Sequence, residues 1–136
     1  MREINSLIIH CSATPEGRDF TVEDIDRCHR QRGFRCIGYH YVIYRDGSIH
    51  PGRPVSCEGA HCLGHNADSI GICYIGGVDA AGKPKDTRTL RQKKALTLLV
   101  SDLCRQYNIP RINVYGHNEF AAKSCPCFDV KKEFRQ

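Results

Sequence analysis

The 136-residue chain has no apolar stretch approaching the length of a membrane span. Its opening residues, Met1-Arg2-Glu3-Ile4-Asn5-Ser6, lead into only a short apolar run without a small-residue cleavage site. A spanning helix is thereby excluded, and synthesis in the cytosol without a signal peptide is expected. The chain also lacks internal repeats, low-complexity tracts and any interdomain linker, so a single domain over 1–136 is expected. Lys and Arg outnumber Asp and Glu by 20 to 15. They are scattered, with small clusters at Arg91-Gln92-Lys93-Lys94 and Lys131-Lys132, and no block of the kind found in nucleic-acid-binding arms is present. The formal charge of +5 suits an anionic partner, but it serves plain solubility equally well.

What the chain does have in abundance is cysteine, nine residues at positions 11, 28, 36, 57, 62, 73, 104, 125 and 127. An odd count argues against a small secreted disulfide scaffold, which pairs its cysteines. Cys28 and Cys104 fall on helical patterns and Cys73 in a strand, where a thiol behaves as a small buried apolar group. Folding in a reducing compartment is expected, with Cys57 and Cys62 the pair most open to bridging.

Hydrophobic patterning alternates between strands and helices. Ser6 to Cys11 is a short apolar run without helical period and reads as a buried strand. Ala13 to Phe20 reads as a loop. Thr21 caps a helix with Asp24 in capping-box position, and Gly33 ends it. Val22, Ile25, Cys28 and His29 form its apolar face. Tyr39 to Tyr44 and Ser48 to Pro51 form a hairpin around Arg45-Asp46-Gly47, with Tyr39, Tyr41 and Ile43 on one face. A long loop, Pro51 to Asn66, precedes a second apolar strand, Ser69 to Ile75. Thr89 to about Gln106 is the longest helix, with a stripe of Leu96, Leu99, Leu103 and Cys104. Ile112 to Tyr115 reads as a short strand that ends just before His117, and Asp129 to Arg135 as a closing helical turn or two. The fold class that follows is α/β, a central mixed sheet flanked by helices.

Three residues stand out chemically. His10 closes the first strand, His117 follows the last, and Cys125 lies nearby in Lys123-Ser124-Cys125-Pro126. Two imidazoles and one thiolate are a common zinc ligand set. Three protein ligands on a tetrahedral ion leave one position for water, which marks a catalytic rather than a structural site. A closed structural site through Cys125-Pro126-Cys127 would need a second closely spaced knuckle, and none is found. A Cys-His nucleophilic site is the competing arrangement, and it requires an orienting third group that the sequence does not identify. Lys123 is placed to stabilise negative charge on a reacting carbonyl. The Tyr39 hydroxyl, at the start of its strand, can reach a site at the sheet edge. His61 and His65 lie in the long loop, within reach of a ligand, whereas His29 and His50 carry no functional reading.

Taken in order, five segments resemble the zinc N-acetylmuramoyl-L-alanine amidases of the phage-lysozyme and peptidoglycan-recognition-protein type. They are Ile9-His10-Cys11-Ser12-Ala13-Thr14; Gly38-Tyr39-His40-Tyr41 with Arg45-Asp46-Gly47; Gly59-Ala60-His61 with Asn66-Ala67-Asp68-Ser69-Ile70-Gly71-Ile72; Gly116-His117-Asn118-Glu119; and Lys123-Ser124-Cys125-Pro126. The resemblance implies that His10, His117 and Cys125 bind one zinc ion and that Tyr39 and Lys123 are the catalytic pair. It further implies hydrolysis of the amide bond between N-acetylmuramic acid and L-alanine in peptidoglycan by a metal-activated water. Tyr39, Lys123 and that water all stay open as the proton donor to the leaving amine, and His61 is a candidate substrate contact. Recognition proteins that bind peptidoglycan without cutting it lack the cysteine ligand, so Cys125 favours hydrolysis over an inactive binding or regulatory module. The implied partner is peptidoglycan or muropeptides, with no nucleic acid and no membrane, and a monomer is expected. The route to the wall is then lysis or non-classical release.

Overall fold

The computed structural model of the protein describes residues 2–135. Five strands, β1 (Ser6–Cys11), β3 (Tyr41–Ile43), β4 (Ile49–Pro51), β5 (Ser69–Tyr74) and β7 (Val114–Gly116), form a mixed sheet in the order β4-β3-β5-β1-β7. β1 runs parallel to both its neighbours, β5 runs parallel to β3, and only β3 and β4 are antiparallel. Every residue of β1 and β5 is buried. Both faces of these strands are covered, which is why they read as unbroken apolar runs and not as alternations.

The period of two sorts the strand residues between the faces. Leu7, Ile9 and Cys11, with Ile70, Ile72 and Tyr74, pack beneath α2 (Leu90–Tyr107) and α3 (Val130–Phe134), where they meet Leu96, Leu99, Leu103 and Phe134. On the other face Val42, Cys73 and Ile75 meet Ile25 of α1 (Val22–Gln31). His10 and Gly71 therefore look toward the α1 side, away from the larger core. Both long helices begin with reciprocal capping boxes, Thr21 with Asp24 and Thr89 with Gln92. Gln92 does more than cap. Its buried amide also donates to the carbonyls of Ile43 and Ile75 at 3.2 and 3.0 Å, which ties the start of α2 to the ends of two strands. Among the described residues no helix is long and apolar enough to cross a membrane.

Several expectations shift. Thr14–Pro15, expected in a loop, is a short strand β2 that pairs in parallel with β6 (Gly77–Val78). The expected strand from Ile112 starts instead as a 3-10 turn at Arg111–Asn113, with Ile112 exposed, and extended pairing begins only at Val114. Tyr39 lies before β3, so the alternation does not carry back to it. It packs with Val42, Cys73 and Ile75, on the face opposite to Ile43. Cys28 is exposed. On α1 the residues Val22, Ile25 and His29 cluster within about 60° of arc, and Cys28 lies roughly 90° from their centre, outside the stripe.

Two histidines without a functional reading are fixed parts of the framework. The Gly38 N–H donates to His29 Nδ1 at 2.9 Å, and the Gly71 N–H donates to His40 Nδ1 at 3.0 Å. The His40 proton is thereby placed on Nε2, which donates to the Cys57 carbonyl at 2.9 Å. The Arg2 guanidinium, 3.2 Å from that same nitrogen, confronts a donor and is held instead by the carbonyls of Val55 and Ser69, each at 2.9 Å. Burial pushes both imidazoles down to about 4. Both are neutral in the fold yet titrate near 6.5 when unfolded, so the unfolded chain takes up the protons first. Their contribution to stability is complete above about pH 6.5 and is lost as the pH falls toward 4, at roughly 2–3 kcal/mol per pH unit for the pair. Ring signals of His29 and His40 followed by NMR should titrate near pH 4, and denaturant midpoints of the metal-free protein should fall steeply between pH 6.5 and 4. Ring titrations near 6.5 would show that neither lone pair is committed to the backbone.

All nine cysteines are free thiols, Cys57 and Cys62, the pair most open to bridging, included. Cys11, Cys62, Cys73 and Cys104 are buried. Pulse alkylation of the native protein should label Cys28 first and Cys73 last, and all nine should label after denaturation without reductant. Two missing labels at Cys57 and Cys62 would contradict the free-thiol state.

Candidate metal centre

Strand register brings the first two candidate ligands together. Ile9 of β1 stands beside Gly116 of β7, so the next residues, His10 within β1 and His117 just past the end of β7, emerge side by side. Neighbouring strands lie about 4.8 Å apart, and two imidazoles leaving adjacent positions can aim at one point between them. The Nδ1 atoms of His10 and His117 are 3.2 Å apart, and their ring centroids 4.6 Å. β7 ends at Gly116 and the chain turns at once into a 3-10 turn, His117–Glu119, with the Glu119 carboxylate accepting the Gly116 N–H at 2.8 Å.

Cys125 arrives from the segment that follows. Its Sγ accepts the Cys11 N–H at 3.2 Å, next to His10 in sequence. The Tyr74 hydroxyl donates to the Pro126 carbonyl at 2.6 Å and anchors this segment to the end of β5. A side chain at position 116 would meet Asn118 Oδ1 at 2.8 Å, Val130 at 3.0 Å and Pro126 at 3.1 Å, so glycine there lets the segment close over the strand. As a result, one donor atom each from His10, His117 and Cys125 lies within 4.8 Å of the others. Two nitrogens at 2.0–2.1 Å from a tetrahedral ion stand roughly 3.3–3.4 Å apart. The observed separation is close to that, and the set of two imidazoles and one sulfur suits zinc.

The electrostatics agree. Burial pushes His10 well down, helped by His61, His117 and Lys123, and burial with Lys123 lowers His117. Both rings are neutral at neutral pH, the state in which imidazole binds a metal. Cys11 and Cys127 lie on the core side of the sheet, their sulfurs 4.0 Å apart. The contact with Cys125 and then burial raise Cys11, and burial followed by Cys11 lifts Cys127 to about 12. These two remain thiols and are poor competitors for the ion.

The cluster opens on a cleft of about 600 Å3 whose walls include Tyr39, His61, His117, Phe120 and Lys123. Tyr39 sits with its ring 5.0 Å from that of His10, and burial raises its phenol well above the usual range, so it keeps its proton. Lys123 is exposed at the lip. His29 also lines the cleft, and its bond to the Gly38 N–H braces the residue before Tyr39. His65 is drawn elsewhere, stacked on Phe120 at 3.9 Å, and His50 stacks on Tyr44 at 3.7 Å.

His61 is buried and both of its ring nitrogens are engaged within the protein. Nδ1 lies 2.9 Å from His10 Nε2, and Nε2 lies 3.2 Å from Ser69 Oγ, which donates to the His65 carbonyl at 2.6 Å. Burial holds its imidazole down at about 3. Asn66 Oδ1 accepts the N–H groups of both His61 and Cys62 at 2.9 Å and fixes the loop here. Sequence reasoning placed Asn66, Ser69 and Gly71 in one of the five segments but gave none of them a role of its own. One signal was present: a glycine in the middle of an otherwise buried apolar strand marks a close approach.

Comparison with known proteins follows the same lines. Residues 1–128 match the family model of N-acetylmuramoyl-L-alanine amidases. The endolysin of Klebsiella phage KP32 is 37% identical over 131 residues, covering 96% of this chain and 85% of that protein. The N-acetylmuramoyl-L-alanine amidase LysC from Clostridium intestinale superposes with a TM-score of 0.83 at 29% identity, covering 97% of this chain and 85% of that one. The ectodomain complex of the peptidoglycan recognition proteins LCa and LCx, solved with bound tracheal cytotoxin, superposes with a TM-score of 0.78 at 28% identity, covering 98% of this chain and 81% of that one.

Proposed function

The chain belongs to the N-acetylmuramoyl-L-alanine amidase family, and from that premise we propose that it cuts the amide bond between N-acetylmuramic acid and L-alanine in peptidoglycan, with one zinc ion held by His10, His117 and Cys125. The observation that carries this reading is the convergence of those three donors within 4.8 Å at a cleft large enough for a muropeptide fragment. Zinc in that position supplies a Lewis acid for the amide carbonyl and lowers the pKa of water from about 15.7 to roughly 7.

The protein's own side chains do the rest. The neutral rings of His10 and His117 keep their lone pairs for the ion. The protonated Tyr39 hydroxyl orients the attacking water or the carbonyl oxygen by donating a hydrogen bond. The Lys123 ammonium, at the lip of the cleft, stabilises the charge that develops on the carbonyl oxygen during attack, an interaction that counts for more in the transition state than in the ground state. Arg32, also on the wall of the cleft, adds positive charge facing a substrate rich in carboxylates. The same fold serves proteins named for recognition, so a module that binds the wall without cutting it is the second reading. Cys125 favours hydrolysis over that reading. Acting on the wall, the chain reaches its substrate after lysis or release by another route.

Muropeptide digestion with the purified protein should liberate free stem peptide, and a chelator should stop it until zinc is returned. Cys125→Ser should lower zinc content and activity together. Undiminished release of stem peptide after zinc removal would rule the mechanism out, and a chain that binds muropeptide with zinc present yet never cuts it would establish the binding module.

Lys123→Met and Tyr39→Phe separate catalysis from metal binding. Lys123→Met should lower kcat by about 10²-fold with little change in zinc content, the scale of losing one oxyanion donor. A change in KM alone would reassign Lys123 to substrate binding.

A further inference from the structure

We infer that His61, backed by Ser69, is the positioning residue that locks His10 in the tautomer able to bind the metal. The inference rests on the metal reading above and deepens it. The chain of hydrogen bonds can be followed from its far end, where the acceptor is unambiguous. The His65 carbonyl accepts, so the single Ser69 hydroxyl proton goes there, at 2.6 Å. Ser69 Oγ then has only lone pairs left for His61 Nε2, at 3.2 Å, and that nitrogen must carry the His61 proton. A neutral imidazole carries one proton, so His61 Nδ1 is an acceptor. Its partner at 2.9 Å, His10 Nε2, must be the donor. The lone pair of His10 is therefore on Nδ1, the atom that faces His117 Nδ1 at 3.2 Å. Each step follows from the proton count of the group before it, and none invokes a metal. The result is the tautomer that a ligand at this point requires.

A second observation shows that the fold makes room for this ring. A side-chain carbon at Gly71 would stand 2.6 Å from His61 Cγ and Cδ2 and 2.9 Å from Nδ1, and one at Gly59 would stand 2.7 Å from Cδ2. Gly71 is in register with Ile8 on β1, two residues before His10. Its missing side chain leaves the hollow on the sheet in which the His61 ring sits, edge-on to His10 and 2.9 Å from it. The Asn66 carboxamide holds the backbone of His61 in place from the other side. Ring and backbone clamp come from the long loop and the hollow chiefly from β5, and together they fix the direction in which His10 points.

The test measures zinc affinity by competition with a chromophoric chelator, and the His10 tautomer by long-range 1H–15N NMR of the metal-free protein, without reference to catalysis. In the wild type, His10 should show protonated Nε2 and bare Nδ1. His61→Leu, which removes the acceptor, should weaken zinc binding by about 10–100-fold, the usual scale for losing the partner of a ligating histidine, and should leave His10 as a mixture of tautomers. His61→Gln can accept from His10 through its carbonyl and donate to Ser69 through its NH2 group, and should restore most of the affinity. Gly71→Ala should weaken binding by displacing the ring. Should His61→Leu fail to fold, Ser69→Ala asks the same question with a smaller change, because it frees the His61 proton to move to Nδ1 and turn donor against His10. A wild-type chain that binds zinc, with affinity and His10 tautomer unchanged in folded His61→Leu or Ser69→Ala, overturns this inference alone. A wild-type chain that takes up no zinc overturns the metal reading and this inference together.

Discussion

The parallel pairing of β1 with β7 is the constraint on which the site depends. Those strands are joined in register from Leu7 with Val114 to Ile9 with Gly116, and the next step along each delivers a histidine. A slip of one residue would turn one ring to the opposite face of the sheet, because successive side chains alternate. The register is held by complete burial of β1 between two neighbours and by the fit of Leu7, Ile9 and Val114 against the core under α2 and α3. The energy that sets the distance between His10 and His117 is therefore hydrophobic burial on the far side of the sheet. The polar cluster inherits that spacing, and its own hydrogen bonds decide only how the rings are aimed.

The two faces of the sheet thus divide the work. One buries leucines and isoleucines and supplies stability. The other trades apolar contact for histidines, Ser69 and Gly71, each satisfied by a backbone group or by another ring. No buried side-chain nitrogen or oxygen among the described residues lacks a partner. That completeness matters because an unpaired buried polar group costs about 1–3 kcal/mol. Here the pairing also aims the groups. His29 and His40 accept backbone N–H bonds, His61 accepts from another imidazole, and each bond fixes which nitrogen carries the proton. Two of the rings that line the cleft, His29 and His61, thus have their protonation set by the fold.

Much of this was legible in the chain as a string of residues. The apolar runs of β1 and β5, the capping boxes at Thr21 and Thr89 and the hairpin around Arg45-Asp46-Gly47 are local signals, and the structure carries each of them. The misplacements are also local in origin. The β2–β6 pair has two residues per strand, too few to show a period. Cys28 misled because a helical stripe read by spacing has no sharp edge. Tyr39 misled because alternation was extended past the point where the strand begins.

The sequence by itself determined the α/β class, the metal-binding chemistry on offer and the order of the five segments that resemble the amidase family, because residue types and short spacings are written along the chain. Only the tertiary structure decided that His10 and His117 leave adjacent strands in step, that Cys125 is held by the Cys11 backbone and that His61 turns to His10 across the hollow at Gly71. Those contacts join residues from 51 to 114 positions apart. No local pattern encodes such a distance, since it depends on register and on which strands become neighbours, and both are settled by burying the whole sheet at once.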